Sequence, residues 1–155
     1  MTATAIPAAT DRYLAPSRGD RIFNRLAARL TRMGLSLAGS RELRVVGRRS
    51  GQVRTTVVNL LVIDGERYLV APRGTTEWVR NLRAAGHGEL KVGRRVEPFR
   101  YEELADAAKP AILREYLERW AWEVGRFFDG VDATSSDAEL LAIAPGFPVF
   151  RLLPA

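Results

Sequence analysis

An α+β domain is what the sequence predicts, on three observations. Val53 to Ile63 is a long apolar run rich in β-branched residues, joined by Asp64-Gly65 to a second run, Glu66 to Ala71. A two-residue Asp-Gly link between apolar runs is the strongest short-range hairpin signal. Glu89 to Val92 and Val96 to Tyr101, separated by Gly93 to Arg95, repeat the pattern. Helical periodicity is confined to other stretches, above all 20–37 and the segment opening at Pro110, so helices flank the hairpins.

Taken in order, residues 1–18 are rich in Ala, Thr and Pro without periodicity and read as a flexible arm, leaving 19–155 as a single domain. From Asp20, a cap residue, Ile22, Phe23, Leu26, Leu30, Met33 and Leu37 recur at three and four, with Arg21, Arg25, Arg29 and Arg32 opposite. This amphipathic helix has two readings: a lid over the domain, or peripheral contact with an anionic membrane through residues 20–37. Glu42 to Val46 is a short first strand. The Val53 to Ile63 strand is apolar enough to be covered on both faces. Thr75 to Ala85 reads as a helix stopped by Gly86, with Trp78 and Leu82 on one face and Asn81 able to bond a polar ligand edge. His87, between two glycines, reads as a solvated loop residue.

Pro110 opens a long helix in which Leu113, Tyr116, Leu117, Trp120, Val124, Phe127 and Phe128 line one stripe. Trp122 falls off that stripe, as expected of a pocket wall, a dimer contact or a membrane contact. A polar loop follows to Asp137, then a short helical turn over Ala138 to Ala144 and a last strand from Phe147 to Leu153.

The chain has 155 residues, no cysteine and one histidine. One core is expected at this length, burying about two-thirds of the unfolded surface. The absence of cysteine excludes disulfides, thiol nucleophiles and cysteine-ligated metals, and a lone histidine leaves little for a metal site or a serine triad. No apolar run reaches the roughly 18 residues of a bilayer span and no secretory signal opens the chain, so a cytoplasmic location is expected, with the inner membrane face as the site of any peripheral contact.

The net charge of +6 is uneven. Gly47 to Thr55 places Arg48, Arg49 and Arg54 in one Gly-flanked turn, and Pro72, Arg73 and Gly74 open a second basic loop. Guanidinium groups grip phosphate and carboxylate through a planar fork. Aromatics interleaved with lysines on a strand face, which single-stranded nucleic acid would favour, are absent, so no nucleic-acid partner is expected. No carboxylate, serine or histidine sits in a constellation that implies activation, so the catalytic and metal sets read from sequence are both empty. Anion-binding turns without catalytic side chains suit a cofactor that brings its own chemistry.

The run from Gly47 to Thr55, the Arg73 loop, and then Trp78 and Asn81, resembles the deazaflavin-dependent nitroreductase family over roughly residues 43–92. That resemblance implies an FMN-binding-like split β-barrel, usually dimeric, holding coenzyme F420, an 8-hydroxy-5-deazaflavin that hands a hydride to a flat unsaturated acceptor such as a quinone, enone or nitroaromatic. By the same resemblance Arg48, Arg49, Arg54 and Arg73 hold the phosphate and acidic tail. Thr55, Thr56 and Val57 approach the ring, Trp78 and Asn81 close its side, and Tyr116, Trp120 and Trp122 contact the small-molecule acceptor. The sequence departs from the family in carrying Arg at 49 and 73 where Lys is common, and Trp120, Ala121, Trp122 where nitroreductases are tyrosine-rich. Two alternatives stand beside this reading: an FMN enzyme on the same barrel, and a non-enzymatic anion- or membrane-binding module.

Overall fold

A computed structural model describes residues 12–15, 39–128 and 130–155. The amphipathic helix expected over 20–37 lies outside them, as does most of the arm. Contacts divide the chain into two compact units.

The first unit carries the barrel. Strands β1 (Ser40–Val46), β2 (Val53–Ile63), β3 (Glu66–Val70), β4 (His87–Val92), β5 (Arg95–Glu103) and β6 (Val149–Pro154) close in the order β1-β2-β3-β6-β5-β4. Only Val70 and Val149, at strand ends, belong to the other unit. Leu43, Leu61, Leu69, Leu90, Phe99 and Phe150 are buried in this unit. The β2–β3 link is the expected one: Ile63 pairs with Glu66, and the two turn residues take positive φ, Asp64 at 49° and Gly65 at 81°. Both angles match the turn whose twist suits a right-handed hairpin, and Asp and Gly tolerate them best. A second two-residue turn joins β4 and β5, where Val92 pairs with Arg95 and Gly93 has φ 57°.

Two expectations change here. β2 is not covered on both faces, since Val53 is 50% and Val62 40% exposed while Val58 and Leu61 are buried. The exposure falls toward the two ends of the strand, at Val53 to Thr55 and at Val62, while Val58 and Leu61 between them are covered. His87 is not in a loop but opens β4 opposite Arg100, exposed as expected.

Helix α1 (Glu77–Ala85) also belongs to this unit, with Val79, Asn81 and Leu82 buried. It stops at Gly86, whose φ of 78° lets its N–H donate back to the Leu82 carbonyl at 2.8 Å. The Tyr101 hydroxyl donates to the same carbonyl at 3.1 Å.

The second unit holds residues 104–149 with the loop Val70–Thr76 and residues 12–14. Helix α2 (Pro110–Val124) begins with proline in its first turn, where the missing N–H has no intrahelical partner to lose. Trp120, at φ −128° and ψ 16°, leaves helical geometry, and after Val124 the chain tightens into a 3₁₀ turn over Gly125–Phe127. The apolar stripe therefore outlasts the helix. Tyr116 packs on Trp120 at 5.1 Å, and Phe128 stacks on Phe147 at 4.2 Å. Lys109, almost fully buried, is satisfied by Asp106 at 2.8 Å and by the Ala144 carbonyl at 3.0 Å. Helix α3 (Asp137–Ile143) starts from a reciprocal cap between Ser136 and Glu139, the Ser-x-x-Glu signature that a polar-loop reading through Asp137 passes over.

Candidate functional site

The basic turn is rigid because its backbone closes on itself. The Gly47 N–H donates to the Gln52 carbonyl at 2.7 Å and the Gly51 N–H to the Gly47 carbonyl at 2.9 Å. A Cβ on Gly47 would sit 2.8 Å from the Ser50 hydroxyl and 3.1 Å from the Gln52 carbonyl, so the close approach needs glycine.

Helix α1 locks this turn from the side. Asn81 Oδ1 accepts from the Arg48 backbone N–H at 3.1 Å and from Arg48 Nη1 at 2.8 Å, and the same Nη1 lies 2.8 Å from Glu77 Oε2. The hydrogen bond from Arg48, followed by the charges of Arg48, Arg80 and Arg49, holds the Glu77 carboxyl below its ordinary value. Both lone pairs of the Asn81 carbonyl are thus engaged, and only its amide nitrogen is left to meet a ligand. Arg48 is a strut of the turn. Arg49 and Arg54 are exposed and make no hydrogen bond or ion pair among the described residues, which leaves two full guanidinium forks for an anion.

β2 supplies a polar backbone edge next to this turn. It pairs with β1 from Val53 to Asn59, whereas its pairing with β3 runs only from Leu60 to Ile63. From Val53 to Val58 one edge therefore has no strand partner among the described residues, and Thr55, Thr56 and Val57 lie in this stretch. Thr55 is exposed; Thr56 and Val57 are half-buried. Trp78 is half-buried against Phe150, with ring centroids 5.8 Å apart.

The remaining sequence-predicted residues lie in the second unit. Arg73 Nη1 and Thr76 Oγ1 are buried without a hydrogen-bond partner, and burial pushes the Arg73 guanidinium below its ordinary value. An unpaired buried cationic donor is costly, and an arriving anion relieves that cost. Tyr116 and Trp120 are each 2% exposed and fill the aromatic cluster, so they are core residues where acceptor walls were expected. Trp122 is 68% exposed, its indole N–H donating to the Arg119 carbonyl at 3.1 Å. Glu77 and Arg80 escaped the sequence reading, because nothing local marks a carboxylate at 77 as the partner of an arginine at 48. Among the described residues no group of side chains could hold a metal ion.

A six-stranded antiparallel barrel closed in this strand order is a split β-barrel. Residues 21–127 match the model of the F420H(2)-dependent quinone reductase family, and the chain belongs to that family. Its cofactor is accordingly F420. No curated protein matches the sequence. Solved structures share the fold at low identity. The protein Atu2129 of Agrobacterium tumefaciens, of unknown function, is similar at 18% identity with a TM-score of 0.55, the match covering 91% of this chain and 59% of that one. This chain thus spans about three-fifths of that protein. A structure described as a domain-swapped dimer aligns at 16% identity and TM-score 0.54, over 88% of this chain and all of the other. An F420-H2 dependent reductase, FDR-A, aligns at 18% identity and TM-score 0.50, over 74% and 94%.

The residues present fit such a coenzyme. Within the barrel unit, Arg49 and Arg54 are cationic donors suited to phosphate and carboxylate.

Proposed function

We propose that the chain binds reduced F420 and reduces a flat, unsaturated, largely apolar acceptor, a quinone or conjugated enone, in preference to a bicyclic nitro compound. The observation that carries the first half is the pair of free guanidinium groups, Arg49 and Arg54, on a turn held rigid by Arg48, Asn81 and Glu77. When bound, F420 supplies the hydride. The chain's own part is to grip the anionic end through these arginines, to offer the open edge of β2 from Thr55 to Val57 to polar ring atoms, and to shield one side with Trp78. The Asn81 amide nitrogen remains available to the same ligand. A backbone N–H or solvent meets charge that develops on the acceptor.

The acceptor preference rests on Trp122. An indole offers a broad apolar face and one N–H, which here is spent on the Arg119 carbonyl. A nitro group needs donors, and this side chain has none left. A homodimer is part of the proposal, in keeping with the dimeric structure that shares the fold.

Fluorescence titration of the purified protein with F420, and with FMN as control, tests the cofactor half. Arg49→Ala and Arg54→Ala are each expected to weaken F420 binding by about 1.5–3 kcal/mol, the range for hydrogen bonds to charged groups. Unchanged affinity in both variants, or tighter binding of FMN than of F420, would sink the assignment.

A further inference from the structure

Arg12 lies ahead of the residues that the family model matches, and it ties together several separate segments of its unit. Its Nη1 donates to the Pro72 carbonyl at 2.8 Å and to the Gly146 carbonyl at 3.3 Å, and its Nη2 donates to the Phe127 carbonyl at 2.6 Å. The guanidinium plane also lies over the Phe147 ring, 4.3 Å from its centroid. Phe127 and Gly146 are the last residues of two 3₁₀ turns, where carbonyls lack partners along the chain and a cation is favourable. Three separate loops are thus pinned to one fork.

One of those loops carries Arg73. The Arg12 and Leu14 backbones run beside it as a short antiparallel bridge: the Thr75 N–H donates to the Arg12 carbonyl at 2.7 Å, the Leu14 N–H to the Arg73 carbonyl at 3.0 Å, and Tyr13 pairs with Gly74. The approach is so close that a Cβ on Gly74 would fall 1.9 Å from the Arg12 carbonyl oxygen. The loop's two orphaned groups, Arg73 Nη1 and Thr76 Oγ1, sit on either side of this bridged segment. Backbone that is bonded on both sides has few conformations left, so the guanidinium of Arg73 is held ready while its partner is still to arrive.

We infer that Arg12 is a positioning residue for anion binding: by clamping the Pro72, Phe127 and Gly146 carbonyls it fixes the Arg73 loop in the conformation that receives an acidic group of the coenzyme. This rests on the reading of Arg73 as a coenzyme ligand. Arg12 acts through the loop, its guanidinium bonds running to the Pro72, Gly146 and Phe127 carbonyls. Lysine cannot replace it, because a single ammonium does not present the planar fork that reaches three carbonyls and stacks on a ring.

The test is a double-mutant cycle on F420 affinity in the full chain, with Arg12→Lys, Arg12→Ala, Arg73→Ala and the two double variants, each checked by circular dichroism for native fold. Arg12→Lys keeps the charge and serves if Arg12→Ala does not fold. The expected result is a loss of about tenfold for Arg73→Ala and of several-fold for the Arg12 variants, with the Arg12 change nearly silent, within about twofold, once Arg73 is absent. Hydrogen exchange at the Thr75 amide should quicken in the Arg12 variants while amides of β1 and β2 stay protected. Equal losses with and without Arg73, or Arg12 variants that bind as the wild type does, would overturn the positioning role. A silent Arg73→Ala would instead remove Arg73 from the coenzyme site, a failure of the reading beneath the inference and visible as such.

Discussion

At the scale of single residues, the basic turn separates arginines that look alike in the sequence. Arg48 is consumed by Asn81 and Glu77, and Arg49 and Arg54 are not. The distinction arises from helix α1, which delivers an acceptor and a carboxylate to one guanidinium only. Glu77 then acts as a built-in counterion, and its contribution depends on pH in a definite sense. Because the Arg48 hydrogen bond holds its carboxyl below the ordinary value in the folded state, the stabilisation is complete above the ordinary carboxylate range. It is lost as pH falls through the folded value. The thermal midpoint of Glu77→Gln should therefore lie below that of the wild type near neutrality and converge with it in acid. The gap should be small, since the pair is exposed to solvent and screened. A gap that widened toward low pH would show that Glu77 has no stabilising partner in the folded state.

At the scale of elements, helix α2 combines an interior and an exterior tryptophan two positions apart. Trp120 breaks the helical backbone and is buried in the aromatic cluster, while Trp122 projects outward. Their substitutions should diverge. Trp120→Ala empties a packed volume and should destabilise by about 3–5 kcal/mol, the range for large aromatic truncations. Trp122→Ala should change stability by no more than about 0.5 kcal/mol, as for ordinary surface positions, while lowering kcat/KM for a quinone acceptor with F420 affinity intact. Chemical denaturation and steady-state kinetics on the same two variants decide the matter. Turnover of quinone by Trp122→Ala at the wild-type rate would place the acceptor elsewhere. The stripe of apolar residues predicted α2 well but not its end, because Phe127 and Phe128 continue the helical spacing after the α-helix has given way to a 3₁₀ turn at Gly125.

At the scale of the whole molecule, the excess positive charge becomes a property of binding more than of stability. The surface ion pairs, such as Arg83 with Glu103 and Arg151 with Glu102, are individually worth little. On the proposed reading, the guanidinium groups of Arg49 and Arg54 are long-range attractors for an anionic coenzyme, screened over about 8 Å at physiological ionic strength. Affinity for F420 should therefore fall steadily between low and high salt while the unfolding midpoint barely moves; a salt-independent affinity would argue against the basic turn as the anion site. The order and kind of the elements were legible in the sequence, because periodicity and turn chemistry are local: Asp64-Gly65 dictates its hairpin, Gly86 its helix end and Pro110 its helix start. The basic turn and its family resemblance were legible for the same reason. Which side chains remain free to act was not. Arg48 is tied to Asn81, 33 positions away, and Arg12 to carbonyls 60, 115 and 134 positions away. Whether a guanidinium meets a ligand or a carbonyl of its own chain, and whether a tryptophan faces solvent or the core, depends on what folding brings beside it, and no local pattern encodes that neighbour.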